Sequence, residues 1–113
     1  SLNPATLRRL EWPEPEALAD GFRARVVHID HFGNLVTNLE GERLEGSSRW
    51  RVSCGAVVVE GISAMFSAVG SGESLAYVGS AGFLELAIRE GNAALAWGAQ
   101  RGDTVSVWRS GDR

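Results

Sequence analysis

The sequence predicts an all-β domain: a closed small β-barrel of about seven strands, Greek-key-like, with one short helix. Three observations carry this expectation. From Phe22 onward apolar residues alternate with polar ones in short runs rich in β-branched side chains. Fourteen glycines in 113 residues bound those runs, as turns between strands require. Only one stretch has a helical signature, and closing the sheet removes the exposed edges that an open one would leave.

Residues 1–21 differ from the rest, with Pro4, Pro13, Pro15 and a concentration of acidic side chains before Gly21. Asn3 is placed to cap one short turn through Leu10, and Pro13-Glu14-Pro15 forces an extended path, because proline disfavours helix at itself and at the residue before it. Residues 1–21 are therefore read as a linker from an N-terminal domain outside this chain, and 22–113 as the barrel. Strands are predicted near 23–30, 35–39, 49–54, 56–61, 75–79, 83–89 and 104–109. In the sixth, Leu84, Leu86 and Ile88 oppose Phe83, Glu85, Ala87 and Arg89; in the seventh, Val105 and Val107 oppose Thr104, Ser106 and Trp108. Each is expected to be half-buried. The helical piece is Asn92 to Trp97, with Asn92 as N-cap and Gly98 as the C-terminal stop. Gly70-Ser71-Gly72 reads as a loop tip.

Composition narrows the function. A net charge of -3 is unsuited to holding a polyanion. All eleven basic residues are Arg, a bias that a GC-rich genome produces. Cys54 is the only cysteine, which excludes an intrachain disulfide and reads as a buried hydrophobe in a reducing compartment. No apolar run approaches the ~20 residues of a membrane span, so a cytoplasmic location is expected. His28, His31 and Cys54 lack metal-ligand spacing, so no metal is expected. Gly79-Ser80-Ala81-Gly82 is not a nucleophile elbow, and no glycine run ends as a phosphate loop does. The four tryptophans read as core or interface anchors rather than a stacking platform.

The densest polar cluster is Asp30-His31-Phe32-Gly33-Asn34. An Asn carboxamide presents a donor beside an acceptor, the pattern that the N6 and N7 edge of adenine complements, and an aromatic ring supplies a stacking face. The competing reading is a turn in which Asp30 satisfies its own backbone; composition alone favours the turn. Gly79-Ser80-Ala81-Gly82 permits close approach of an anion to backbone amides, or is simply a tight turn. Arg89-Glu90-Gly91-Asn92-Ala93 ends a strand and opens the helix, where amide groups are free.

Four segments in order, Val27 to Asn38, Ser80 to Ala87, Gly91 to Ala94 and Gly102 to Val105, resemble the C-terminal half of the S-adenosylmethionine hydroxide adenosyltransferase family, relatives of the bacterial fluorinating and chlorinating enzymes. The resemblance covers about residues 22–109. It implies an adenosine-binding barrel, partnered by an N-terminal α/β domain in a homotrimer whose active sites lie between subunits. It also implies displacement at the 5′ carbon of S-adenosylmethionine, giving adenosine and methionine, with S-adenosylmethionine as substrate and no cofactor. By the same resemblance Asn34 meets the adenine edge, Phe32 and Phe66 wall the base, and Asp30 and Ser80 take the methionine ammonium and carboxylate. Ala93 offers backbone groups to the purine, with Arg89 nearby. No catalytic residue falls in this chain, because the family's Asp-Arg-His set belongs to the N-terminal domain. Gly79 stands where the family usually has Asn, and Ala81 where halogenating members have Arg, which points to hydroxide as nucleophile. Two other classes stay open: a small nucleic-acid-binding barrel using Arg23, Arg25 and Arg51, and a structural or trimerisation module without a ligand.

Overall fold

The computed structural model describes residues 13–44, 49–64 and 69–109. Its strands are β1 (Glu16–Leu18), β2 (Gly21–Ile29), β3 (Leu35–Glu40), β4 (Trp50–Cys54), β5 (Val57–Glu60), β6 (Ser74–Val78), β7 (Phe83–Ile88) and β8 (Thr104–Arg109), with a 3-10 turn at Gly41–Leu44 and helix α1 at Ala93–Trp97. All seven strands read from the sequence are present, with ends shifted by a residue or two. β1 is an addition. It is three residues long and exposed throughout, so it carries no burial alternation, and it exists because it pairs with Gly21–Arg23 of β2.

The strands run β5-β4-β8-β2-β3-β7-β6, every pairing antiparallel, with β1 beside β2. Beyond β5, Ser63 bridges to Tyr77 and donates its N–H to the Ala76 carbonyl at 2.7 Å. The seven strands thus form a nearly closed barrel. β2 holds it together by serving both halves. Gly21–Arg25 pair with β8, whereas Val26, His28 and Ile29 pair with β3 across a register shift. At Gly21 a Cβ would fall 1.9 Å from the Val107 carbonyl oxygen, so the close β2–β8 contact there needs glycine. Where β3 diverges, the Asn38 amide fills in, accepting from Arg25 N–H at 2.9 Å and donating to the Pro13 carbonyl at 2.7 Å.

The barrel interior holds Ala24, Val26, Leu35, Leu39, Val52, Ala76, Leu84, Leu86, Val105 and Val107, each large side chain contributing on the order of 1.5–3 kcal/mol of burial. Trp50 joins this core and donates its indole N–H to the Leu44 carbonyl at 3.0 Å. Val105 and Val107 face inward as the alternation requires. β7 departs from the half-buried expectation: Phe83 and Ala87 are also buried, on the face opposite Leu84 and Leu86. Within β7, Glu85 alone of that outer row keeps partial exposure. α1 has the predicted caps, with the Asn92 side chain accepting from Leu95 N–H at 2.9 Å and Gly98 left-handed at φ 65°. Cys54 is free and buried, and burial followed by the Asp103 charge pushes its thiol pKa up. No helix among the described residues is long and apolar enough to cross a membrane.

Candidate functional site

The β2–β3 loop is both a turn and a wall of a pocket. Asp30 Oδ1 accepts from the backbone N–H groups of Phe32 and Asn34, each at 2.9 Å, and Gly33 N–H donates to the Asp30 carbonyl. Gly33 has φ 86°, and a Cβ there would lie 2.0 Å from Asn92 Oδ1. Only glycine lets the loop settle against the helix start in this way. The Gly33 carbonyl then accepts from Ala94 N–H at 3.0 Å, tying the loop to α1.

Local satisfaction by Asp30 leaves two side chains for other use. Phe32 is 70% exposed, its ring edge-on to His31. Asn34 is 92% buried yet lines an open pocket of about 560 Å3 with Phe32, Ile88, Glu90, Gly91 and Asn92. The loop's expected pairing with the helix start is therefore present: Asp30, Phe32, Asn34 and Ala93 come together at one end of β2, β3 and β7. Ala93 is fully buried as the first helical residue behind Gly33.

Ser80 and Ala81 stand elsewhere. They form the exposed tip between β6 and β7, beside Gly41, whose N–H donates to the Gly82 carbonyl at 2.7 Å. Leu35 pairs with Leu86 and Glu40 with Phe83, so this tip lies at the far end of the same strands from Asn34. Arg89 follows β7 and donates from Nη1 to the Val69 carbonyl at 2.7 Å. Phe66 lies outside the described residues. Trp97 and Trp108 are half-buried, and none of the tryptophans among the described residues lines the pocket beside Asn34. Among the described residues no three His, Cys, Asp or Glu side chains gather as a metal ion would need.

Between the two ends runs a polar network that the sequence reading did not single out. Asn34 Nδ2 donates to Tyr77 Oη at 3.4 Å, and the Tyr77 hydroxyl donates to Glu85 Oε1 at 2.7 Å. Tyr77 and Glu85 are cross-strand partners, and Glu85 also opposes Val36, two residues beyond Asn34 on the same face. Burial first, then the hydrogen bond and charge of Glu85 and the Asp30 charge, raise the Tyr77 hydroxyl pKa, against a smaller opposing effect of Asn34. Burial also raises the Glu85 carboxyl, with Asp30 adding to it and the Tyr77 hydrogen bond opposing it. The signal available in sequence was modest: the sole tyrosine, and one carboxylate in an otherwise apolar strand face.

The arginines that a nucleic-acid reading needs are engaged. Arg23 pairs with Glu16 at 2.5 Å and Arg51 with Glu60 at 3.1 Å, while Arg25 donates to the Gly102 carbonyl at 3.1 Å.

The chain is similar to known proteins over nearly its whole length. It is 36% identical to an (R)-S-adenosyl-L-methionine hydrolase of Salinispora tropica, covering 95% of this chain and 40% of that protein. It is also 36% identical to one of Thermus thermophilus, covering 90% and 36%. The chain thus spans about 40% of the length of the curated relatives it matches. Crystal structures share the fold: a conserved uncharacterized protein from Thermotoga maritima (27% identity, TM-score 0.73, covering 86% of this chain and 39% of that one) and a conserved hypothetical protein from Thermus thermophilus (34%, 0.66, 85% and 39%). Residues 24–106 match the model of the SAM hydroxide adenosyltransferase C-terminal domain. With the ordered motifs, the barrel and the loop-helix pocket in agreement, the chain belongs to the SAM hydroxide adenosyltransferase family and corresponds to its C-terminal domain.

Proposed function

We propose that this domain binds the adenosine and methionine ends of S-adenosylmethionine within a longer enzyme that hydrolyses it to adenosine and methionine. The observation that carries this reading is the Asn34 amide, buried but open to a pocket beside the exposed Phe32 ring. A carboxamide held there meets a purine edge, while Phe32 walls the base. The backbone of the α1 start, at Asn92 and Ala93, closes the purine side. Asp30 Oδ1 is committed to two backbone amides, so Oδ2 is the oxygen that receives the methionine ammonium. Asp30 and Gly79 both lie toward the Glu85 carboxylate, and Ser80, next to Gly79, takes the methionine carboxylate.

In the reaction a water oxygen forms a bond to the 5′ carbon as the carbon–sulfur bond breaks. The bonding pair leaves on sulfur, turning the sulfonium into the neutral thioether of methionine, and the water proton passes to solvent. The balance closes with water alone. A sulfonium is a good leaving group, so in-line positioning and removal of the nucleophile's hydration supply most of the acceleration. Phe66 as a second wall, Arg89 near the purine, nucleophile handling by an N-terminal domain, assembly as a homotrimer and a cytoplasmic location belong to the same reading.

Asn34→Ala in the full-length protein tests it. Adenosine affinity measured by titration calorimetry is expected to fall about tenfold or more, as a buried pairing is lost. Unchanged affinity would instead support a structural module without ligand.

A further inference from the structure

The tyrosine-carboxylate pair behind Asn34 decides which way the Asn34 amide points. An ionised carboxylate only accepts hydrogen bonds, so at 2.7 Å the single Tyr77 hydroxyl proton goes to Glu85. Toward Asn34 the phenol oxygen can then only accept. The group that Asn34 turns toward Tyr77 must be its NH2, and the 3.4 Å contact is that bond. Its Oδ1 and second N–H are left for a ligand. At the edge made by N1 and the C6 substituent, an asparagine free to turn over by 180° would serve a 6-amino or a 6-oxo purine equally. N1 accepts in the first and donates in the second, and exchanging oxygen for nitrogen inverts the amide's donor-acceptor order. Here that turn would bring Oδ1 against an oxygen whose proton is already committed.

We infer that Tyr77 and Glu85 are specificity-determining positioning residues that lock the Asn34 amide for a 6-amino purine and against a 6-oxo purine. The inference rests on the reading that Asn34 meets the purine edge. With the amide locked, Oδ1 accepts from the exocyclic amine and the second N–H donates to N1, which carries a proton in a 6-oxo purine and cannot accept there. A 6-oxo purine sets its carbonyl oxygen against Oδ1, and neither oxygen can donate. Neither Tyr77 nor Glu85 needs to touch the ligand to act.

The test compares adenosine with inosine by titration calorimetry on the full-length protein and three variants. Native protein is expected to prefer adenosine by about tenfold or more, the scale set by one mispaired buried acceptor. Tyr77→Phe removes the acceptor for Asn34. Glu85→Gln lets a side-chain amide donate to Tyr77, whose proton can then turn to Asn34. Each is expected to narrow the adenosine-to-inosine ratio by about tenfold, a readout that general loosening of the fold would not move selectively. Both are near-isosteric, so if one fails to fold the other carries the test. A ratio unchanged in the folded variants, with adenosine binding lost in Asn34→Ala, overturns the positioning role and leaves the proposed function standing. Unchanged adenosine binding in Asn34→Ala overturns both, and a native protein that does not discriminate overturns the inference.

Discussion

The β2–β3 loop and the β6–β7 tip are both short polar turns closed by glycine, and the fold treats them differently. At the first, Asp30 caps the backbone, Gly33 lies against Asn92, and Asn34 is drawn into a buried network. At the second, Gly79 and Gly82 close a hairpin whose Ser80 and Ala81 stay exposed. The two are linked through one side chain. A Cβ on Gly79 would fall 1.9 Å from Glu85 Oε2, so the carboxylate that holds Tyr77 also reaches toward the tip. Composition makes a turn, and packing behind it decides whether a side chain stays exposed at the tip or is drawn into a buried network.

Four measurements sharpen or break this contrast. The largest effect is expected for Gly33→Ala, which forces a side chain into φ 86° and into the Asn92 amide. It should lower stability by about 2 kcal/mol or more, read from the urea midpoint; a loss no larger than at Gly82, which has φ 92° but open space around it, would show that the Asn92 contact adds nothing. Asn92→Ala removes the α1 cap and is expected to cost about 1 kcal/mol in the same assay, with adenosine affinity falling alongside because the loop loses its support.

The third concerns pH. The folded protein holds the Glu85 proton more tightly than the unfolded chain, chiefly because the carboxyl is buried, with Asp30 and Tyr77 the titratable groups facing it. A carboxyl raised from 4.5 in the fold contributes stability that declines as pH rises from that value through the raised one. Native protein should therefore lose stability relative to Glu85→Gln as pH rises above about 4.5 in parallel urea titrations; curves that stay parallel would remove burial as the cause. The smallest effect is expected for Ser80→Ala. Stability and adenosine affinity should change by less than about twofold, as for most exposed positions, while S-adenosylmethionine binds more weakly. Equal loss for both ligands would erase the distinction between the two turns.

Most of the barrel was legible because alternating burial writes itself into the order of side chains. Leu84, Leu86, Val105 and Val107 face inward as their spacing required, and Asn92 and Gly98 bound α1 as capping chemistry required. β1 was not legible, since Pro13 and Pro15 dominate its neighbourhood and an exposed three-residue strand has no pattern of its own. The outer burial of Phe83 and Ala87 was equally hidden, because alternation tells which residues share a face and not what covers it.

The same division holds for the site. By itself the sequence determined the turn at Asp30 and the helix start at Asn92, both local consequences of backbone and side-chain chemistry, whereas the need for glycine at position 33 also comes from its contact with Asn92. Only the tertiary structure decided that Asn34 would be buried against Tyr77 and Glu85. Tyr77 meets Glu85 through the register of β6 on β7, and Asn34 joins them through the pairing of β3 with β7. Such a direction-setting hydrogen-bond chain arises where strands distant in sequence share one face, and no spacing along the chain encodes it.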